Sequence, residues 1–261
     1  EDLALIGDQL VKPLKLGKPI AIGLVLLIIL GLAAIHLLSF NGRIPQFEKA
    51  ASGYLQQPVK IKAVYFSLLP QPHWRLEEVA VGADGQSRAS RVKVYAGVGS
   101  LFSDQATVKA LEVNSVSLSE TGFGELIFAK PALASMPLRR ITISNAKLAS
   151  RFTELPELEG EVAIGENGQW QKISLQSADK KVRLELQPKG AKVAFDFNAE
   201  AFAFSLENGF PLKGVEMQGL VDRNELTVTE FRASLHEGVL SGNARLTWDN
   251  RWSLEGALNA K

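Results

Sequence analysis

The chain of 261 residues contains no cysteine and only three histidines. The absence of cysteine excludes disulfide bonds, thiolate zinc sites, iron–sulfur clusters and cysteine nucleophiles. A chain without cysteine suits reducing and oxidising compartments equally, so this absence indicates no location. The chain also lacks an excess of charge of one sign, because it contains 29 Lys and Arg and 28 Asp and Glu. A net charge of +1 provides no broad basic surface, and nucleic acid is therefore not expected as a partner.

One long apolar run covers residues 19–40, PIAIGLVLLIILGLAAIHLLSF, and contains no Asp, Glu, Lys or Arg. As a helix it would be about 33 Å long, close to a hydrocarbon core of about 30 Å. We therefore predict a single transmembrane helix, preceded by a leader at residues 1–18. A cleavable signal peptide is the alternative, but its apolar region is normally shorter and no A-x-A-like site follows. His36 is expected to be neutral and near the membrane surface.

Basic residues on the two sides of this run predict the orientation of the chain. Lys12, Lys15 and Lys18 precede it, whereas Arg43 and Lys49 follow it. By the positive-inside rule this small excess favours a cytoplasmic leader. The rest of the chain is then expected on the far side of the membrane, which for a protein of the inner membrane of a Gram-negative bacterium is the periplasm. The membrane helix and the leader are also the expected contacts with membrane lipids and with other inner-membrane proteins.

Residues 41–57 carry one further helical pattern. Pro45 suits the first turn of a helix. Apolar residues then recur at helical spacing, which predicts a short amphipathic helix near the membrane surface; they are Phe47, Ala50, Ala51, Tyr54 and Leu55.

Residues 58–261 alternate between apolar and polar side chains and predict a mostly β domain of about a dozen strands, with little helix after Leu55. The short connections favour antiparallel hairpins. In the first strand the alternation predicts one apolar face formed by Val59, Ile61, Ala63 and Tyr65.

Two segments thirty residues apart form a degenerate internal repeat: VKALEVNSVSLS from Val108 and LRRITISNAKLA from Leu138. Their apolar positions coincide, and both change phase at an Asn-Ser or Ser-Asn pair, as a bulge or bend would produce. Similar phase changes occur near Ala199 and near Thr229. Repeated bends predict a long curved antiparallel sheet.

Catalytic and metal-binding motifs are not found. The G-x-G segments at residues 97–99 and 122–124 lack the third glycine and the βαβ unit of a dinucleotide site, and are expected to be turns. His73 and His236 lack a helical i, i+4 partner and are expected to be surface or satisfied histidines. The acidic residues at 154–161 are expected in a solvated loop that leads into a strand. We therefore expect no enzyme, no metal and no cofactor.

The order of the apolar helix, the amphipathic helix and the segment GYLQQPVKIKAVYFSLLPQPHWRLEEVAVG resembles the start of the AsmA-like family of bacterial envelope proteins. Gln56 and Gln57 depart from the Gly and Arg common there. The segment from Phe231 resembles a hairpin frequent in the same family. Matching positions are Pro58, Val59, Ile61, Leu69, Pro70, Leu76, Val79, Val81 and Gly82, and, in the hairpin, Leu235, Gly238, Leu240 and Gly242.

This family is similar to bridge-like lipid-transfer proteins, so the resemblance implies a sheet curled into a groove, or open barrel, whose apolar lining holds phospholipid acyl chains. The alternation also allows a dry sandwich or barrel core. The candidate lining residues are Ile61, Tyr65, Val92, Val94, Leu111, Val113, Ile141, Ile143, Leu184, Phe195, Phe197 and Val228.

Two functions remain open from the sequence. The first is a non-catalytic, membrane-anchored periplasmic protein that binds or helps to transfer phospholipid during envelope and outer-membrane biogenesis. The second is an accessory scaffold subunit that docks in a larger inner-membrane complex.

Overall fold

The structure, a computed structural model, describes residues 26–27, 39–85, 87–97, 108–129, 138–149, 153–203, 211–248 and 252–261. Most of these residues lie in β-strands, which confirms the mostly β class. The leader and the predicted membrane helix, apart from residues 26–27 and 39–40, lie outside the described residues and stay predictions. Within the described ranges, no helix is long and apolar enough to cross a membrane.

Thirteen strands form one sheet, in which each strand lies beside its neighbours in the chain. In the described part of the chain β1 and β13 are the two edges, so the sheet that it forms is open and is neither a closed barrel nor a sandwich of two sheets. The strands are β1 (Val59–Ser67), β2 (His73–Val81), β3 (Ser87–Ala96), β4 (Val108–Ser119), β5 (Arg140–Ala149), β6 (Leu158–Ile164), β7 (Trp170–Ser177), β8 (Val182–Lys189), β9 (Lys192–Ala203), β10 (Pro211–Val221), β11 (Glu225–Leu235), β12 (Gly238–Trp248) and β13 (Trp252–Ala260).

Two short helices whose bounds lie within the described residues accompany the sheet. The first, α1 (Ile44–Leu55), follows a 3-10 turn at Asn41–Arg43 and corresponds to the amphipathic helix predicted at residues 41–57. The second, α2 (Glu120–Ile127), follows β4 directly.

The helix α2 corrects the prediction of turns at residues 122–124. Ser119 caps the helix, because its Oγ accepts a hydrogen bond of 3.0 Å from the backbone N–H of Gly122. Glu120 lies in the first turn, and Ile127 is buried against the sheet. An N-cap residue and an apolar contact thus outweigh the low helix propensity of the two glycines.

One pair of strands departs from the predicted antiparallel pattern, because β4 and β5 are parallel. A parallel pair needs a crossover connection, and α2 lies in that connection. The pairing offset is thirty residues, so Leu111 lies beside Ile141 and Val116 beside Ala146. The two copies of the internal repeat are therefore neighbouring strands, paired in the register of the repeat.

A line of irregular positions crosses the first five strands, and we call it the bend line. At each of these positions the strand register is the same on both sides, but the facing residues are not themselves paired. The positions are Lys62, Glu78, Ser90, Ser115 and Asn145. Glu78, Ser115 and Asn145 have φ angles of 50°, 52° and 54°. Apolar side chains change phase across the line, so the phase changes predicted in the repeat are confirmed. Further register shifts lie at residues 213–219 and 228–231, the latter at the predicted phase change near Thr229.

The outer edge of β1 is covered by polar side chains that precede it. The backbone N–H groups of Val59 and Ile61 donate to Ser52 Oγ and Glu48 Oε1, both at 2.9 Å. The N–H of Val64 donates to Asn41 Oδ1 at 3.1 Å. Because these outward N–H groups are already hydrogen-bonded, the edge offers few backbone donors for pairing with a further strand.

Candidate functional site

One face of the sheet carries two continuous rows of uncharged residues, and we call it the apolar face. In each row, every residue is the register partner of the next one across the sheet, from β1 to β13. The first row is Phe66, Trp74, Val94, Leu111, Ile141, Val162, Ile173, Leu186, Phe195, Gly219, Val228, Ala244 and Gly256. The second is Val64, Leu76, Val92, Val113, Ile143, Gly160, Leu175, Leu184, Phe197, Met217, Phe231, Gly242 and Leu258.

At the β1 end the apolar face is covered by α1 and the residues before it. Trp74 is 1% exposed and lies between three phenylalanine rings. The ring centroids of Phe40, Phe47 and Phe66 are 5.4, 5.7 and 5.0 Å from that of Trp74. The Arg43 guanidinium lies 5.4 Å from the centre of the same indole. This end of the apolar face is therefore a buried core.

Over the middle strands the apolar face is partly covered by α2. Ile127 and Phe123 pack against the main apolar cluster. Trp170 Nε1 on β7 donates a 3.1 Å hydrogen bond to the carbonyl oxygen of Ile127. Arg223, in the turn between β10 and β11, donates a 3.3 Å hydrogen bond to the carbonyl oxygen of Phe128. Ile127 at the end of α2 and Phe128 after it therefore contact β7 and the turn between β10 and β11, which lie several strands away from β4.

A contact from α1 shows how strongly the sheet curls. Tyr54 donates a 2.7 Å hydrogen bond from its hydroxyl to the carbonyl oxygen of Gly168, in the turn between β6 and β7. Burial raises the pKa of this tyrosine. A helix attached to the edge strand β1 can reach this turn only if the sheet wraps around it. The apolar face is therefore the concave face.

At the β13 end the apolar face is open. Leu254 and Leu258 are 73% and 66% exposed. Leu258 ends the second row, and Leu254 pairs with Leu246 on β12. The concave face therefore changes from a covered core at β1 to an exposed surface at β13.

The structure brings most of the predicted lining residues together. On the first row are Val94, Leu111, Ile141, Phe195 and Val228, and on the second are Val92, Val113, Ile143, Leu184 and Phe197. Ile61 lies on the same face beyond the bend line and packs in the cluster around Trp74. Among these predicted residues, Val94, Ile61 and Val228 are buried, whereas the others are half-buried.

Tyr65, which was also predicted as a lining residue, does not lie on the apolar face. Val64 and Phe66 are buried on the apolar face, so Tyr65 between them points to the opposite face. There the Arg75 guanidinium lies 4.8 Å from the centre of its ring. The bend line at Lys62 shifts the alternation by one residue after Ile61, which reverses the face predicted for Tyr65.

Several large members of the two rows were missed from the sequence, including Trp74, Val162, Ile173 and Phe231. Each lies in a segment whose alternation predicts a strand. Their face could not be assigned, because the phase relative to neighbouring strands depends on the positions of the bends.

The opposite face is polar and is held by ion pairs. Lys93 Nζ lies 2.8 Å from Glu112 Oε2, and the Tyr95 hydroxyl donates a 2.9 Å hydrogen bond to Glu112 Oε1. Burial and the hydrogen bond to the carboxylate raise the pKa of Tyr95 to about 12. Burial alone would raise the pKa of Glu112, but hydrogen bonds from Lys93 and Tyr95 lower it below its usual value. The lowered pKa keeps the Glu112 carboxylate ionised at neutral pH.

No candidate catalytic or metal centre is found in the part of the chain that the structure describes. Within it, no three His, Asp or Glu residues are grouped as metal ligands. His73 is buried, with Nδ1 2.7 Å from the carbonyl oxygen of Gln71, and burial lowers its pKa. His236 lies exposed in the turn between β11 and β12, and His36 lies outside the described residues.

A shallow cavity of about 410 Å³ opens over β6 to β8. Its charged members, among them Lys172, Arg183 and Glu185, belong mostly to the polar face, and Lys172 pairs with Glu185 at 2.8 Å. It is lined by Gly160, Glu161, Ala163, Lys172, Ser174, Leu175, Gln176, Arg183 and Glu185. Because Glu161 and Lys172 are held in ion pairs, with Arg140 and Glu185 respectively, this shallow pocket is best described as part of the charged outer surface.

Comparison with known proteins identifies no relative: no family model, no curated protein and no solved structure matches this chain. The resemblance to the AsmA-like family therefore stays a prediction, and the two apolar rows on the concave face are the strongest candidate for a functional surface.

Proposed function

We propose that this protein is a non-catalytic, membrane-anchored carrier that binds phospholipid acyl chains along its concave apolar face. The observation that carries the proposal is the pair of uncharged rows, which continue across all thirteen strands. With a strand spacing of about 4.8 Å, twelve steps give a surface roughly 58 Å long. The part of this concave surface that α1 leaves unfilled is apolar and is exposed at the β13 end, which suits hydrocarbon chains.

The mechanism is passive partition. Acyl chains leave water for the apolar face, a transfer worth about 0.8 kcal/mol for each buried CH₂ group. The headgroup stays in water at the rim of the curled sheet. Because α1 fills the face near β1 and α2 covers part of it over the middle strands, the lipid-binding part is the rest of the face, up to β13. The predicted helix at residues 19–40 would hold this surface beside the periplasmic side of the inner membrane, from which lipid enters.

The proposal is tested with the full chain purified in detergent. Ile143 is half-buried on the second row, and Ser144 is the next residue of the same strand on the polar face. We expect Ile143→Asp to lower the phospholipid retained per protein, measured by mass spectrometry, at least about fivefold, because an unpaired carboxylate disfavours hydrocarbon beside it. We expect Ser144→Asp to retain lipid like the unmodified chain.

Comparison of the two variants distinguishes lipid bound by the sheet from lipid bound by the predicted membrane helix, because any lipid held by the helix is common to both variants. Equal lipid retention in the two variants, with both folded by circular dichroism, would contradict binding on the apolar face. Unfolding of Ile143→Asp at temperatures where Ser144→Asp is folded would indicate a dry core instead.

A second candidate is the accessory scaffold, and one observation favours it. The strand β13 is exposed from Ser253 to Ala260 and is the outer edge of the sheet. Such an edge is a template for pairing with another chain. A stoichiometric protein partner that co-purifies with the full chain and protects β13 from proteolysis would support the scaffold over the carrier.

A further inference from the structure

The direction of the backbone groups of β13 follows from its pairing with β12. The N–H of Val239 donates to the carbonyl of Lys261 at 2.8 Å, and the N–H of Lys261 donates back to Val239 at 3.0 Å. Hydrogen-bonded and non-hydrogen-bonded pairs alternate along an antiparallel ladder. The groups of residues 253, 255, 257 and 259 therefore face β12. Those that face away belong to Trp252, Leu254, Gly256, Leu258 and Ala260, and no described strand pairs with them.

This outward set is symmetric about Gly256. An antiparallel copy of the same strand bonds with the whole set in one register only, in which Gly256 faces Gly256 across a two-fold axis. In that register Leu254 lies opposite Leu258 of the second copy. These leucines are 73% and 66% exposed in the single chain, and pairing places them side by side on one continuous apolar face.

The other face of the strand is compatible with the same register. Ser253 lies opposite Asn259, and Glu255 lies opposite Ala257, so no like charges meet. A shift that moves the axis to Glu255 would place two carboxylates opposite each other, which disfavours that alternative. Backbone pairing therefore selects the register with its axis at Gly256, and the charges of the strand are compatible with it.

We propose that β13 pairs antiparallel with β13 of a second copy of this chain, about a two-fold axis at Gly256. The two sheets join at their open edges, and the edge covered by α1 remains at the outer end of each. This interface does not depend on whether the apolar face carries lipid.

The natural absence of cysteine allows a sharp test in the full chain, purified in detergent. Two variants, Ser253→Cys and Asn259→Cys, are prepared separately and then mixed under mild oxidation. In the proposed register these positions form a non-hydrogen-bonded pair with Cα atoms about 4.5 Å apart, within the range of a disulfide. Either variant alone places its two cysteines about 20 Å apart, six residues along a strand.

We expect a disulfide-linked dimer in the mixture, at least about tenfold more than in either variant alone, detected by non-reducing electrophoresis and located by mass spectrometry. Dimer formation that is equal in the mixture and in the single variants would overturn the register. Absence of dimer in the mixture, with the protein folded, would overturn the interface.

A further variant distinguishes pairing of β13 from random collision. Leu258→Pro, introduced into both cysteine variants, removes an outward N–H that β12 does not use, and proline is tolerated on an edge strand in that orientation. We expect it to abolish cross-linking while the thermal unfolding of the chain is unchanged. Cross-linking that survives this substitution would contradict backbone pairing at this edge.

Discussion

Replacement of Trp74 by alanine is expected to lower the free energy of unfolding by about 3–5 kcal/mol, the range for large aromatic side chains in well-packed cores. Trp74 is 1% exposed and joins β2 to α1 through Phe47 and to the preceding segment through Phe40. Its loss leaves a cavity between the helix and the sheet, which neither element can close without moving. Chemical denaturation followed by far-UV circular dichroism measures the change.

Leu69 provides the control for this prediction. It lies in the hairpin next to Trp74, between β1 and β2, and is 59% exposed. Leu69→Ala is expected to change stability by less than about 0.5 kcal/mol, as for other exposed positions. If Trp74→Ala and Leu69→Ala have equal effects, α1 does not pack on the apolar face.

Replacement of Gly160 by valine is expected to disrupt the pairing of β6 with β7. A Cβ atom built on Gly160 would lie 1.9 Å from the carbonyl oxygen of Ser174 and 3.0 Å from the Cα of Leu175. Both contacts are backbone atoms of the neighbouring strand, so relief requires the strands to separate. We expect destabilisation above the roughly 1–3 kcal/mol of ordinary overpacking, measured by denaturation.

Gly53 in α1 is the control position for the Gly160 substitution. A Cβ atom there has no neighbour within 4 Å. Gly53→Ala is expected to stabilise the protein by up to about 1 kcal/mol, because alanine has the higher helix propensity. A neutral effect of Gly160→Val would show that β6 and β7 are not paired in the described register.

Local patterns were sufficient to predict the strands, the helix α1 and the bends of the repeat. Alternation identifies a strand because its side chains point to opposite faces with a period of two. The repeat carried further information, since the positions that coincide at Leu111 and Ile141 became neighbours in the sheet. The parallel direction of that pair was not predicted, because it depends on the crossover that contains α2.

The arrangement of the candidate site depended on long-range structure and was only partly predictable. Tyr65 follows the bend line by three residues, and the bend reverses the face that simple alternation assigns to it. The covering of the apolar face also could not be read from the sequence, because the contact between Tyr54 and Gly168 joins residues 114 positions apart. Such contacts arise only when the whole sheet curls.

The order of the strands has a consequence for the dynamics of the molecule. Because each strand pairs only with its neighbours in the chain, much of the stability of the sheet comes from interfaces between successive strands, and the contacts of α1 and α2 across the concave face add to it. In the monomer, opening should therefore begin at β13, which has one paired edge and exposed leucines, and spread strand by strand. Hydrogen exchange of backbone amides should be fastest at β13 and slowest in the strands beneath α1. The sheet is thus expected to unfold progressively from β13 towards the strands that α1 covers.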